Sequence, residues 1–207
     1  TNTVYVASMG HTHAPQQERG IYKTTDGGKT WERILFVNEF TGASDLSMDP
    51  QNPDILFAAM WQVEITTWNL KSGGPGSGIY RSKDGGKTWQ PLRNGLESGP
   101  THPVGKTSVD VAYTNPKVVY ALVEDKEPRL YRSEDGGDSW KLMQKNHSMG
   151  QRAGYYIRLR VSTRDENELY TICVGILKSM DGGKSFVKDF NPWAPGGDNH
   201  DMWFDPK

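Results

Sequence analysis

Three carboxylates and one guanidinium head short, similar runs of the chain. They are Asp45 in DLSMDP, Asp110 in DVAYTNP, Arg158 in RLRVSTRDEN and Asp201 in DMWFDP. Aligned on these runs, the four take the same position, and strand alternation points them with Ser47, Ala112, Arg160 and Trp203. Carboxylates held close raise one another's pKa, and a raised pKa suits a general acid. A pair about 5 to 10 Å apart is what glycoside hydrolysis uses. Asp45, Asp110 and Asp201 are therefore the candidate catalytic groups, with Arg158 beside them. The plainer reading is a solvated lining in which Arg158 neutralises its neighbours.

A second set carries binding chemistry. His11, His13, Trp61, Trp68, Arg152, Tyr155, Tyr156, Trp193 and His200 fall in, or at the edge of, long segments between strand-like runs. Aromatic faces stack on sugar rings and also anchor peptides. With Arg158 these residues form the candidate ligand-binding set; the structural alternative is that they staple long loops down. The His11-Thr-His13 spacing suits a transition metal only on a strand. In a loop it fixes no geometry, so no metal site and no cofactor is assigned. The run GGPGSG at 73–78 lacks the P-loop lysine and reads as a flexible turn.

The elements that must position these residues come from a repeat. Four segments align: YKTTDGGKTW, YRSKDGGKTW, YRSEDGGDSW and LKSMDGGKSF, with aspartates at 26, 84, 135 and 181. Alternation before each box reads as a strand, Asp-Gly-Gly supplies a tight turn, and the aromatic residue opens the return strand. Trp31, Trp89, Trp140 and Phe186 are expected to pack between neighbouring units. A second repeat, strand-turn-strand, alternates with the first at Asp45, Asp110 and Arg158. Each unit is thus a four-stranded meander, and a period near 50 residues belongs to propeller blades or solenoid units. The first strand of each unit would line the inner wall. The long segments near 8–19, 37–44, 61–78, 92–107, 143–155 and 191–199 would share one face, where binding residues usually sit.

The fold expected is all-β: a β-propeller of four-stranded antiparallel blades, about four of them, treated as a single domain over 1–207 with boxes at 24–31, 82–89, 133–140 and 179–186. The chain opens on a second strand, TVYVAS, and its last strand-like run is a first strand. Pairing of the two would close a ring; the favoured reading is an arc of a larger propeller.

The box Ser/Thr-x-Asp-Gly-Gly-x-Thr/Ser-Trp resembles the Asp-box, or BNR, repeat. That resemblance implies the propeller fold known in sialidases, xyloglucan-active glycoside hydrolases, the sortilin ectodomain and a photosystem assembly factor. It implies no shared chemistry. The runs ERGIYKTTDGGKTW, GASDLSMDPQNPDILFAAMW, GGPGSGIYRSKDGGKTW, QRAGYY and GDNHDMWFDP are similar to those of large bacterial proteins with sortilin-like propellers, often labelled glycosyl hydrolases. This narrower resemblance implies a secreted, periplasmic or cell-surface setting and a longer parent polypeptide. No sialidase arginine triad can be placed.

Composition narrows the function. With 24 basic and 25 acidic residues among 207, the net charge of -1 argues against nucleic acid. No apolar run approaches the roughly 18 residues of a membrane span. The one cysteine, Cys173, allows no intrachain disulfide and reads as a small buried side chain. The expected role is a binding module holding a glycan, peptide or protein on the loop face. The alternatives are a glycoside hydrolase using the three aspartates, and an assembly scaffold without catalysis.

Overall fold

The computed structural model describes residues 2–188 and 199–205. Within them the chain is all-β, with four antiparallel sheets following one another along the sequence. The first holds β1 (Val4–Ser8), β2 (Gly20–Thr24) and β3 (Glu32–Leu35). The second holds β4 (Thr41–Met48), β5 (Leu56–Ile65), the short β6 (Leu70–Ser72) paired to the end of β5, β7 (Gly78–Ser82) and β8 (Gln90–Pro91). The third is β9 (Thr107–Val111), β10 (Val119–Val123), β11 (Arg129–Ser133) and β12 (Lys141–Lys145). The fourth is β13 (Arg158–Val161), β14 (Leu169–Ile172), β15 (Ile176–Ser179) and β16 (Val187–Lys188). The first sheet begins at its second strand, as the repeat predicts.

Each box forms the same hairpin. The Asp84 carboxylate accepts from Ser82 Oγ (2.8 Å), Thr88 N (2.9 Å) and Thr88 Oγ1 (2.6 Å), and Trp89 Nε1 donates to Gly86 O (3.1 Å). Gly85 and Gly86 lie at φ 69° and 89°, a region open to glycine at no steric cost. Asp26, Asp135 and Asp181 repeat the pattern.

Apolar seams join consecutive sheets. Trp89 packs with Ile21, Ala58 and Met60 between the first and second, and Trp140 with Phe57, Val109 and Val119 between the second and third. Phe186 packs with Leu130, Leu159 and Leu169 between the third and fourth. Trp31 differs: it stands half-exposed, because no sheet precedes the first among the described residues.

The innermost strands β4, β9 and β13 lie side by side and form the inner wall. Ladder register corrects the sequence alignment there. Asp45 pairs opposite Ala59, Ser108 opposite Leu122 and Arg158 opposite Ile172, and these three are equivalent. Asp110 is level with Ser47 and Arg160, two residues further on. The turns from Met48 to Leu56, Val111 to Val119 and Val161 to Leu169 are equally long, so the ladder sets the equivalence and the first acidic residue does not.

Residues 201–205 join no ladder. They run beside β13, where Thr163 Oγ1 donates to Asp205 O (3.2 Å) and Phe204 packs on Tyr170 with ring centroids 5.2 Å apart. The pairing with β1 that would close four units into a ring is not made among the described residues, and the sheets form an open arc.

Candidate functional site

The inner wall gathers most of the charged candidates. β4 presents Asp45 next to β9 and β13, and its carboxylate is fully engaged. Oδ1 meets Arg158 Nη1 at 3.0 Å, while Oδ2 meets Arg160 Nη1 at 3.2 Å and accepts from Ser108 Oγ at 2.5 Å. Arg160 Nη2 also holds Asp201 Oδ1 at 2.9 Å, and Arg158 Nε lies 3.8 Å from Asp201 Oδ2. Burial works against the charge on Arg160, but Asp45, Asp110 and Asp201 outweigh it, so its pKa is raised and it stays ionised. Asp45, Arg158 and Asp201 thus converge as expected, with Arg160 as a fourth member.

Asp110 stands slightly apart. Its carboxylate accepts from Ser47 Oγ (2.9 Å) and from the Val161 N–H (2.8 Å). Burial pushes it up to about 6, against the opposing pull of Arg160 and these hydrogen bonds. That places a proton donor on the wall at mildly acid pH. The same bond to Val161 N–H gives Asp110 a structural task, because it satisfies a backbone donor of the next blade.

Two members carried no strong sequence signal. Lys106, where the chain enters β9, donates from Nζ to Tyr155 O (3.1 Å) and sits 5.1 Å from the Trp61 ring centroid. Burial, then nearby Arg158, lower it to about 8, against Glu124 and Asp45. Glu124 accepts from Lys106 N (2.6 Å) and Ser72 Oγ (2.6 Å). Only the position of Lys106 and Glu124 at strand ends on the loop side could have flagged them.

The aromatic candidates divide. Trp61 is 4% exposed, and its Nε1 donates to Ser72 Oγ (2.9 Å), so it anchors β5 and offers no free platform. Tyr156 is also buried, with its ring edge-on to His200 at 4.9 Å. Trp68 and Tyr155 are 88% and 70% exposed. Trp68 lies in the turn of a β5–β6 hairpin, closed by Thr66 N donating to Asn69 O (2.8 Å), where the sequence suggested a plain loop. The alternation QVEI and the polar TTWN turn were the signal for it. The hairpin's Leu70 faces Gly154 and Tyr155 across a groove of about 400 Å³ that Glu124, His147 and Arg152 also line.

Arg152 holds φ 57°, an uncommon conformation for a residue with a Cβ, and its guanidinium lies 5.9 Å from the Tyr155 ring. His11 and His13 are exposed on a loop pinned by buried Arg19, whose Nη2 donates to His11 O (2.7 Å). That loop also meets the end of β5 through Ile65 N donating to Thr12 O (3.1 Å). Trp193 lies outside the described residues. Cys173 is buried, with Sγ donating to Ser148 O (3.2 Å). Among the described residues no three His, Cys, Asp or Glu converge as metal ligands, and no helix is long and apolar enough to cross a membrane.

The BNR/Asp-box repeat model matches residues 22–33 and 80–91. A xyloglucanase of Acetivibrio thermocellus is 28% identical over 166 residues, 69% of this chain and 18% of that protein. A Paenibacillus xyloglucanase is 26% identical over 212 residues, 91% of this chain and 19% of that protein. The chain therefore spans about a fifth of the length of these relatives. Among solved structures, a GH74 xyloglucanase from Xanthomonas campestris matches with a TM-score of 0.63 at 17% identity, over 89% of this chain and 26% of that one. An ancestral GH74 enzyme matches with a TM-score of 0.61 at 18% identity, over 92% and 23%. The fold is that of a β-propeller with BNR/Asp-box repeats, and the chain spans a small part of these much larger proteins.

Proposed function

We propose that this chain is a blade arc of a single propeller domain that holds a polysaccharide of the β-glucan class, such as xyloglucan, on its loop face. The setting that follows is extracellular or cell-surface, where such polymers are met. The observation that carries the reading is the exposed ring of Tyr155 on the groove at Leu70 and Gly154, with the exposed Trp68 two residues before Leu70 in the turn of the same hairpin. Sugar rings stack on such faces, and the polar side chains of His147 and Arg152 line the same groove. The similarity to xyloglucanases supports this ligand over a peptide.

Immobilised xyloglucan is expected to retard the chain in affinity electrophoresis. Trp68→Ala and Tyr155→Ala should each weaken retention by about tenfold, the worth of one stacking contact of about 1.4 kcal/mol. Unchanged retention in both variants would sink the assignment. Hydrolysis is the second reading, supported by the raised pKa of Asp110. It requires reducing ends released from xyloglucan and lost in Asp110→Asn. Asp45 suits it less, since both its oxygens are engaged by arginines.

A further inference from the structure

Resting on the reading of the groove at Leu70 and Gly154 as the glycan site, we infer that Lys106 is its positioning residue. Its ammonium holds the turn that carries Tyr155, and retention of a glycan depends on that charge.

The turn, residues 150–157, lies between β12 and β13 and joins no ladder. Within it the Tyr155 and Tyr156 N–H groups donate to Arg152 O (2.9 and 3.3 Å), and Arg152 sits at φ 57°. A residue with a Cβ keeps that conformation only where its surroundings hold it. Ala153 and Ile157 pack into the seam between the third and fourth sheets. The Tyr155 ring is 70% exposed, so its place follows the path of its own backbone. The carbonyl of that backbone accepts from Lys106 Nζ (3.1 Å), at the entry to the neighbouring sheet.

Lys106 is in turn fixed to the opposite wall. Its N–H donates to Glu124 Oε2 (2.6 Å), which also accepts from Ser72 Oγ (2.6 Å) of β6. Ser72 Oγ accepts from Trp61 Nε1 (2.9 Å). A Cβ on Gly105 would collide with the Glu124 carboxylate, so the glycine before Lys106 leaves room for this arrangement. One run of hydrogen bonds thus joins the hairpin carrying Leu70 and Trp68 to the turn carrying Tyr155. The walls also meet directly: a Cβ on Gly154 would come within 3.2 Å of Leu70. With so little slack, any shift of the turn changes the shape of the groove.

The strength of this hold depends on a proton. A charge-assisted hydrogen bond is about twice as strong as a neutral one. The ammonium also lies 5.1 Å from the Trp61 ring centroid, an attraction that vanishes with the charge. The charged groups facing Lys106 are Arg158 of β13, Asp45 of β4 and Glu124 after β10, with Arg152 beyond the Tyr155 ring. β5 and β6 present the uncharged Trp61 ring and Ser72. Burial, then Arg158, bring Lys106 down to about 8 against the pull of Glu124 and Asp45. The hold is therefore complete below that pH and weakens as pH rises through it.

Amide hydrogen exchange at neutral pH tests the positioning without ligand. Lys106→Met keeps the length and removes the ammonium. It is expected to speed exchange at Tyr155 and Tyr156 by about tenfold, the scale of one hydrogen bond to a charged group. Lys106→Arg keeps a cation and should recover most of the protection. Affinity electrophoresis tests the consequence, each pH being compared with a gel lacking xyloglucan. Retention of the parent should decline with a midpoint near pH 8, and that of Lys106→Arg should stay level. Exchange in Lys106→Met equal to the parent's overturns the inference, and so does parent retention that stays level from about pH 7 to about pH 9.5. A parent that xyloglucan never retards, with exchange still faster in Lys106→Met, strikes the glycan reading and supports the positioning role on its own.

Discussion

Asp110 and the box aspartates are one side chain in two opposite surroundings. In the boxes, hydrogen bonds from the following Thr or Ser, side chain and backbone, hold Asp84, Asp135 and Asp181 down at about 2. Their stabilising contribution is complete above the ordinary carboxylate range and is lost as pH falls through about 2. Asp110 is raised to about 6 by burial, so the folded chain binds its proton more tightly than the unfolded chain does. Its contribution is complete below about pH 4 and is lost as pH rises through about 6. Thermal midpoints between about pH 4 and 6 should therefore decline in the parent and flatten in Asp110→Asn. Asp84→Asn should lower the midpoint throughout that range and change its slope only on the acid limb, below about pH 4. A parent slope that Asp110→Asn leaves untouched would show that this carboxyl is not the group titrating.

Blades are joined by side chains that serve the backbone of a neighbour. Ser108 Oγ accepts from Leu159 N–H (3.0 Å) while donating to Asp45, and Ser47 Oγ accepts from Val111 N–H (3.1 Å) while donating to Asp110. Strand β4 is thus stitched to β9, and β9 to β13. Ser108→Ala leaves the buried Leu159 donor unpaired, and urea unfolding should register a loss of about 1–3 kcal/mol. An unchanged midpoint would mean the N–H finds another acceptor. The box aromatics make a second comparison between elements. Trp140 is closed into its seam and Trp31 is not. Trp140→Ala is expected to cost about 3–5 kcal/mol, and Trp31→Ala a small fraction of that in the single chain. Equal losses would contradict the open first sheet.

At the scale of the whole molecule, three of the four sheets contribute a strand to one inner wall, and the charged site exists only because they meet there. The repeat makes the blades legible in the sequence itself: Asp-Gly-Gly turns, alternating strands and seam aromatics are local patterns, written within about ten residues. Four copies of one box determined the fold class, the hairpins and the start of the chain at a second strand. The convergence of Asp45, Arg158 and Asp201 was also readable, because each heads one of the similar runs DLSMDP, RLRVSTRDEN and DMWFDP in the sequence. Tertiary structure alone decided the rest. The ladder moved Asp110 out of line with Asp45, since register depends on pairing across strands and not on the order of charges. Burial withdrew Trp61 and Tyr156 and left Trp68 and Tyr155 exposed, because exposure depends on which neighbour covers a ring. Lys106 and Glu124 joined the site from separate strand ends. Their roles arise from contacts between segments far apart in sequence, and no local pattern carries that information.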